Sequence, residues 1–287
     1  MNLNPIYKNE IILSGRSRQM PVLITIFNIV LFTAAMLSFH IILLTAGNNG
    51  TSPYFEMPTF YFVMLTVQIC MMAVFVPPTA GGSIAGERER KTLDILLASG
   101  LPPARIIAGK WLSSVSLAIL MLISGIPMFA LTLLYGGIHL SDVWGSALYT
   151  AFFVLILGAV GVFCSTCFKR TTSAIIAAYG LILVMNVGTF ILTFVLAAVD
   201  ILTSTISLPG TLMSFVLLLN PAVTYGLILD DTMIARMGLR STMESIGILP
   251  VLTEHWVFLS ILAQALLMIL LLLWAGRRLN PLKGKNQ

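Results

Sequence analysis

The chain has 287 residues, 58% of them hydrophobic and only 9% charged, with a formal net charge of +5 and a mean hydropathy of +0.98. A soluble domain of that length cannot hide so much apolar surface, so most of it must face lipid or neighbouring spans. The composition therefore excludes a soluble globular protein and predicts an all-α polytopic membrane protein.

Residues 4–18 come first and read as a short interfacial helix. Asn4 can cap it and Pro5 takes the favoured first helical position. Leu3, Ile6, Tyr7 and Ile11 share roughly one face, which Glu10 interrupts, so an ordinary basic flank of the first span is the alternative. A spanning helix needs about 20 mostly apolar residues, and six stretches qualify: 21–46, 59–81, 109–135, 144–168, 172–199 and 255–275. The first is too long for a cleaved signal and lacks a small-x-small site, so it reads as a signal anchor.

Between the second and third spans lies a charged segment over 87–98. Leu93, Leu96 and Leu97 fall on one side of a helix, and Glu87 and Glu89 sit in the expected first turn, where the helix dipole favours acids. Gly100 and Pro102-Pro103 end it. A solvated loop obeying the charge rule is the plainer reading, but that rule needs only Lys and Arg, whereas Glu87, Glu89 and Asp94 add nothing to it. Residues 200–254 contain a second apolar run, Leu208 to Leu229, interrupted by Pro209-Gly210 and Asn220-Pro221. It reads as two half-helices dipping in from the outer face, because a seventh span would carry the basic C-terminal tail outside.

Basic loops stay on the cytoplasmic side. With six spans and a cytoplasmic N-terminus, all but Arg236 and Arg240 of the 16 basic residues fall inside, and seven of the 11 acids fall outside. Both termini are then cytoplasmic, and the net charge records topology rather than nucleic-acid binding.

The string from Gly86 to Gly100, Gly-Glu-Arg-Glu-Arg-Lys-Thr-Leu-Asp-Ile-Leu-Leu-Ala-Ser-Gly, followed by Leu101-Pro102 and Ile106-Ile107-Ala108-Gly109-Lys110, resembles the cytoplasmic loop of ATP-binding-cassette permeases of the type-2 export (ABC-2) branch. Asn4-Pro5-Ile6-Tyr7-Lys8-Asn9-Glu10 with Arg16 and Arg18 is similar to that family's N-terminal elbow helix. The layout matches along the chain, which forms a single transmembrane domain over 1–287; the sharp motif covers about 83–112. The resemblance implies a half-transporter in the cytoplasmic membrane. A second permease subunit, the same or different, would pair through the first and fifth spans. Separate ATPase subunits would carry ATP and magnesium, and the 87–98 segment would be the coupling helix. Carried over residue by residue, Glu87, Glu89, Arg90, Thr92, Leu93 and Leu96 would touch the ATPase. No large extracellular domain is present.

A phosphate loop needs Gly-x-x-x-x-Gly-Lys-Ser/Thr. Gly109-Lys110 is followed by Trp111 and preceded at the required distance by Ala104, and Gly284-Lys285 is followed by Asn286, so neither forms one. No cofactor is expected on this chain. Cys164-x-x-Cys167 with a distant Cys70 falls short of a four-ligand zinc set, and the histidines and methionines are scattered. The span interiors hold Asn28, Gln68, Asn186 and Gln264 but no mid-depth Asp, Glu, Lys or Arg, which mark ion pathways. Energy is therefore expected from outside the membrane and the substrate path is expected to be apolar, with Asn28, Gln68 and Asn186 as candidates for its wall. A non-transporting scaffold or sensor with a docking loop is the alternative function, and a secondary carrier or channel the third. Gly82 with Gly86, and Gly158 with Gly161, are candidates for close helix contact.

Overall fold

The computed structural model describes residues 5–49, 57–98, 100–135, 138–203, 209–231, 239–245 and 254–279. Its regular elements are all helices: α1 Pro5–Arg16, α2 Gln19–Asn49, α3 Met57–Glu89, α4 Leu93–Ala98, α5 Pro103–Tyr135, α6 Leu140–Cys167, α7 Thr171–Leu183, α8 Thr189–Thr203, α9 Pro209–Leu218, α10 Pro221–Asp231, α11 Leu239–Ser245 and α12 Trp256–Arg278. Six rods are long and apolar enough to cross a bilayer: α2, α3, α5, α6, α12, and α7 with α8. The chain is an all-α polytopic membrane protein.

Span α6 is the centre. Two-thirds of its most apolar window is buried (67%), against 11% for the α7–α8 rod. It crosses α3 at Gly161, where a Cβ would lie 2.5 Å from Ala80 Cβ and 3.1 Å from the Gly81 nitrogen. One turn on, the buried Ser165 hydroxyl oxygen accepts from the backbone N–H groups of Ile84 and Ala85, both at 2.8 Å. Gly158 makes similar room for Val115 and Trp111 on α5, and the indole N–H of Trp111 donates to the Leu155 carbonyl at 3.1 Å. Gly82 and Gly86 meet Thr171 only at ordinary contact distance. Close approach thus belongs to the α6 pair.

Prolines inside spans leave carbonyls without their usual donor. Pro78 cannot bond the Val74 carbonyl, and the Tyr179 hydroxyl of α7 donates to that oxygen at 2.6 Å. The α7–α8 rod is not one α-helix: residues Val184–Gly188 form a π-turn.

The run over 208–229 departs from its expected form at one end. Pro209 does not interrupt a helix but starts α9, a position that needs no N–H. The break falls at Leu219–Asn220, and Pro221 opens α10, giving the two short helices expected there. Residues 204–208, 232–238 and 246–253 of the 200–254 segment lie outside the described residues, and 200–203 belong to α8.

Candidate functional site

The charged segment is two pieces rather than one helix over 87–98. Span α3 runs on through Glu89, so Glu87 and Glu89 occupy its last turn instead of the first turn of a new helix. The Lys91 N–H donates to the Arg88 carbonyl at 3.1 Å and the Thr92 N–H to the Glu87 carbonyl at 2.9 Å. Lys91 has φ 59°. This is a Schellman stop, with lysine in the left-handed position that glycine usually fills. The Thr92 carbonyl then accepts the Leu96 N–H at 3.1 Å and begins α4, a helix of 6 residues.

Helix α4 turns its leucines inward. Leu93 is buried in a cluster with Ile6, Ile84, Ile106, Ile107 and Leu279, and Leu96 and Leu97 pack against it. Ile95 is 73% exposed, and Asp94, Arg90 and Lys91 are exposed beside it. Of the six residues expected to meet an ATPase, Leu93 and Leu96 thus face the protein's own core, while Ile95 and Asp94, absent from that set, face out. A helical wheel carries the signal, since Ile95 lies opposite the leucine stripe.

Of the other docking candidates, Glu87, Glu89 and Thr92 are held by hydrogen bonds, as is the neighbouring Arg88, while Arg90 is exposed. Glu89 Oε2 accepts from the Thr171 N–H at 3.1 Å and its hydroxyl at 2.6 Å, capping the start of α7. Arg88 donates to the Phe168 carbonyl at 2.8 Å. Glu87 accepts from the Thr92 hydroxyl and, at 3.2 Å, from the Lys110 ammonium, which also donates to Glu10 of α1. Lys110 is buried. The triad borders a groove of about 350 Å³ that Ser14, Ser83, Arg90 and Ser113 also line. A lysine already paired with two carboxylates does not fit a phosphate site, in keeping with the missing phosphate loop.

At the other end of the bundle, the hydrogen bonds centre on the α9–α10 break. Asn220, fully buried, accepts at Oδ1 from the N–H groups of Ala222 and Val223 at 2.8 and 3.3 Å. Its Nδ2 donates to the Asn186 carbonyl at 2.9 Å and to Thr189 Oγ1 at 2.7 Å. One side chain thus caps α10 and satisfies a π-turn carbonyl. Gln264 of α12 donates to Thr224 Oγ1 at 3.1 Å and accepts from the Tyr149 hydroxyl at 3.3 Å.

The three cavity candidates do not share one space. Asn28 donates to Ser124 Oγ at 3.0 Å, joining α2 to α5. Gln68 is buried on the wall of an apolar cavity of about 220 Å³ with Tyr61, Ile123 and Phe129. Asn186 lines a second cavity, of about 290 Å³, with Phe62, Cys70, Tyr149, Phe153 and Tyr225. Cys164 is buried in the α6 core, and Cys167 accepts from Arg278 at 3.4 Å.

A family model described as ABC-2 family transporter protein matches residues 4–275, and the chain belongs to that family. It is a membrane permease subunit of an ABC transporter. No curated protein matches it.

Proposed function

From membership of the ABC-2 family we propose that this chain is the membrane half of an ATP-driven exporter, docked at α4 by a separate ATPase that binds ATP and magnesium. The observation that carries the reading is the exposed Ile95–Asp94 edge. An exposed isoleucine flanked by Asp94, Arg90 and Lys91 is an interface composition, apolar at the centre and charged at the rim. Helices of 6 residues are not stable alone, so α4 takes its shape from the spans beneath. Closure of two ATPases would press on this edge and move α3, α5 and α7 through Glu87, Lys110 and Glu89. Cavities with apolar walls, in the half of the bundle away from the charged end, favour an apolar or amphipathic substrate. The basic end faces the cytoplasm by the charge rule, and a second permease subunit would seat on the exposed apolar surfaces of α2 and α7–α8.

The test is mild-detergent purification of the tagged full-length chain from its native host, with mass spectrometry of what accompanies it. An ATPase bearing a phosphate loop is expected in stoichiometric amount. It should be lost from Ile95→Asp, whose thermal midpoint and gel-filtration profile should stay unchanged. Leu93→Asp is no substitute, because it places a charge in the core. Full ATPase recovery with Ile95→Asp removes the docking assignment. A clean chain, or a companion that is not an ATPase, returns the weight to a scaffold or a secondary carrier.

A further inference from the structure

The groove of about 350 Å³ beside the Lys110 triad runs between α1, the start of α2, α3 and α5, and its lining changes in a fixed order along the spans. On α3 it passes from Arg90 and Glu87 through Ser83 to Thr79, and on α5 from Lys110 through Ser113 and Ser114 to Leu117. At 1.5 Å of rise per residue, these walls run about 12 Å from Glu87 to Thr79 and about 10 Å from Lys110 to Leu117. Glu10 and Ser14 of α1, followed by Met20 and Leu23 of α2, repeat the order on the third wall. Ionised side chains stay out of the hydrocarbon, so the charged layer stands at headgroup depth, with Leu23 and Leu117 deeper. A headgroup layer is about 5–8 Å thick on each side of a bilayer. The groove therefore crosses it and reaches the first part of the acyl region. Ser14, Ser83, Ser113, Leu23 and Leu117 are half-buried rather than buried, so the groove opens outward.

The charged layer decides which amphiphile fits. Two carboxylates and one ammonium leave the Glu10–Lys110–Glu87 triad with one negative charge, and the exposed Arg90 supplies a positive one on the same groove. Lys110 meets Glu10 through Oε1, and Glu10 Oε2 has no partner among the described residues. One layer down, the Ser83 and Ser114 hydroxyls donate to the Ala80 and Lys110 carbonyls of their own helices. The Ser14 and Ser113 hydroxyls have no partner among the described residues, so both are available to the ester carbonyls of a glycerolipid. A lipid of one sign meets a like charge here: an anionic headgroup meets the triad, and a cationic one meets Arg90. A zwitterion satisfies both, and a primary ammonium adds an N–H for Glu10 that a quaternary one lacks.

We propose that this groove seats the headgroup and glycerol of one amine-bearing zwitterionic phospholipid from the bilayer, its ammonium on Glu10 and its phosphate toward Arg90. The lipid clasps α1 to α3 and α5 at the charged end, and its acyl chains leave past Leu23 and Leu117. The site is separate from the α4 edge and does not depend on what docks there.

The probes are dioleoyl phosphatidylethanolamine, phosphatidylcholine and phosphatidylglycerol, titrated in turn onto the delipidated full-length chain in detergent, with bound lipid counted by native mass spectrometry. The tightest phosphatidylethanolamine site should bind about fivefold better than phosphatidylcholine, the worth of one charge-assisted hydrogen bond in a half-exposed groove, and phosphatidylglycerol should bind weakest. Glu10→Met should bring phosphatidylethanolamine down to phosphatidylcholine. Arg90→Met, at an exposed position, should weaken both about fivefold and keep their ratio. Ser113→Leu, which fills the hydroxyl layer, should abolish the tight site while the thermal midpoint stays unchanged.

Equal affinity for phosphatidylethanolamine and phosphatidylcholine overturns the proposal, as does preference for phosphatidylglycerol. A tight site that survives Ser113→Leu, or that ignores Arg90→Met, places the lipid elsewhere and overturns it too.

Discussion

Replacing Lys110 by methionine tests whether the basic end is held by charge. The lysine side chain is 5% exposed, and its partners Glu10 and Glu87 are 28% and 31% exposed. At an effective dielectric of ~20 each contact contributes about 4 kcal/mol of attraction, most of it offset by desolvation of the ammonium. The intact triad is therefore nearly neutral in net stability. Removal of the cation alone is different, because two half-buried carboxylates, both within hydrogen-bond reach of one nitrogen, are left facing each other. Breaking a fully buried pair costs roughly 3–5 kcal/mol. The partial exposure of both acids brings the expected loss for Lys110→Met down to about 2 kcal/mol.

The sign of the compensated variant separates charge from packing. Glu10→Gln with Glu87→Gln and Lys110→Met removes all three charges and should recover most of the loss. Glu10→Gln alone leaves the Lys110–Glu87 pair and should cost under about 1 kcal/mol. Reversible unfolding in mixed micelles, followed by tryptophan fluorescence, reads these differences, since Trp111 adjoins the lysine. Lys110→Met within about 0.5 kcal/mol of wild type would refute the ionic argument. A triple variant as unstable as Lys110→Met would assign the effect to the packing of the lysine stem.

The same unfolding measurement reaches two further positions. Gly161→Ala forces a methyl to within 2.5 Å of Ala80 Cβ and should cost about 1–3 kcal/mol by overpacking; Ala80→Gly in the same chain should restore part of it, since the approach to the Gly81 nitrogen at 3.1 Å remains, and additive losses would disprove the close crossing. Asn220→Ala strips the α10 cap and leaves the Asn186 carbonyl with the Thr189 hydroxyl in place of two side-chain donors, a loss of about 1–2 kcal/mol. Asn220→Asp keeps the acceptor for Ala222 and Val223 but not the donor, so it should fall between wild type and Asn220→Ala.

Features set by composition and by proline were legible in the sequence. The six spans follow from apolar length, the start of α1 from Pro5, and the α9–α10 break from Asn220-Pro221. What depends on direction in space was hidden. The spacing of Leu93, Leu96 and Leu97 puts them on one side of a helix, but periodicity does not say whether that side faces core or partner. Glu10 looked like a flaw in an apolar face because Lys110, its partner, is 100 residues away. The end of α3 was misplaced for a chemical reason: a Schellman stop is recognised by glycine, and here the left-handed residue is Lys91. The π-turn has no side-chain signature, and Asn186 stood out only as an amide in an apolar run. Its link to Asn220 is a tertiary fact.

The placement of polar bonds bears on how a push at α4 would travel. Helix α4 has little stability of its own, and its first residue, Leu93, is packed on Ile84 of α3 and Ile106 of α5. Thr92, just before it, is bonded to Glu87, and Glu87 to the lysine that also holds α1. A partner that displaces Ile95 therefore cannot be accommodated by bending a loop, since the load passes directly to α3 and α5. From there the Gly161 crossing and the Ser165 bonds carry it to α6, where tight packing resists local deformation. The α7–α8 rod is tied to α3 through Glu89 and Tyr179 on one side of the π-turn and to the α9–α10 break through Asn220 at it. π-turns are rare and are found frequently at functional sites, and this one lies where the rod changes partners. The fold thus joins a stiff α3–α5–α6 block to a rod broken by one π-turn, and that turn borders the apolar cavity that Tyr149 and Tyr225 also line.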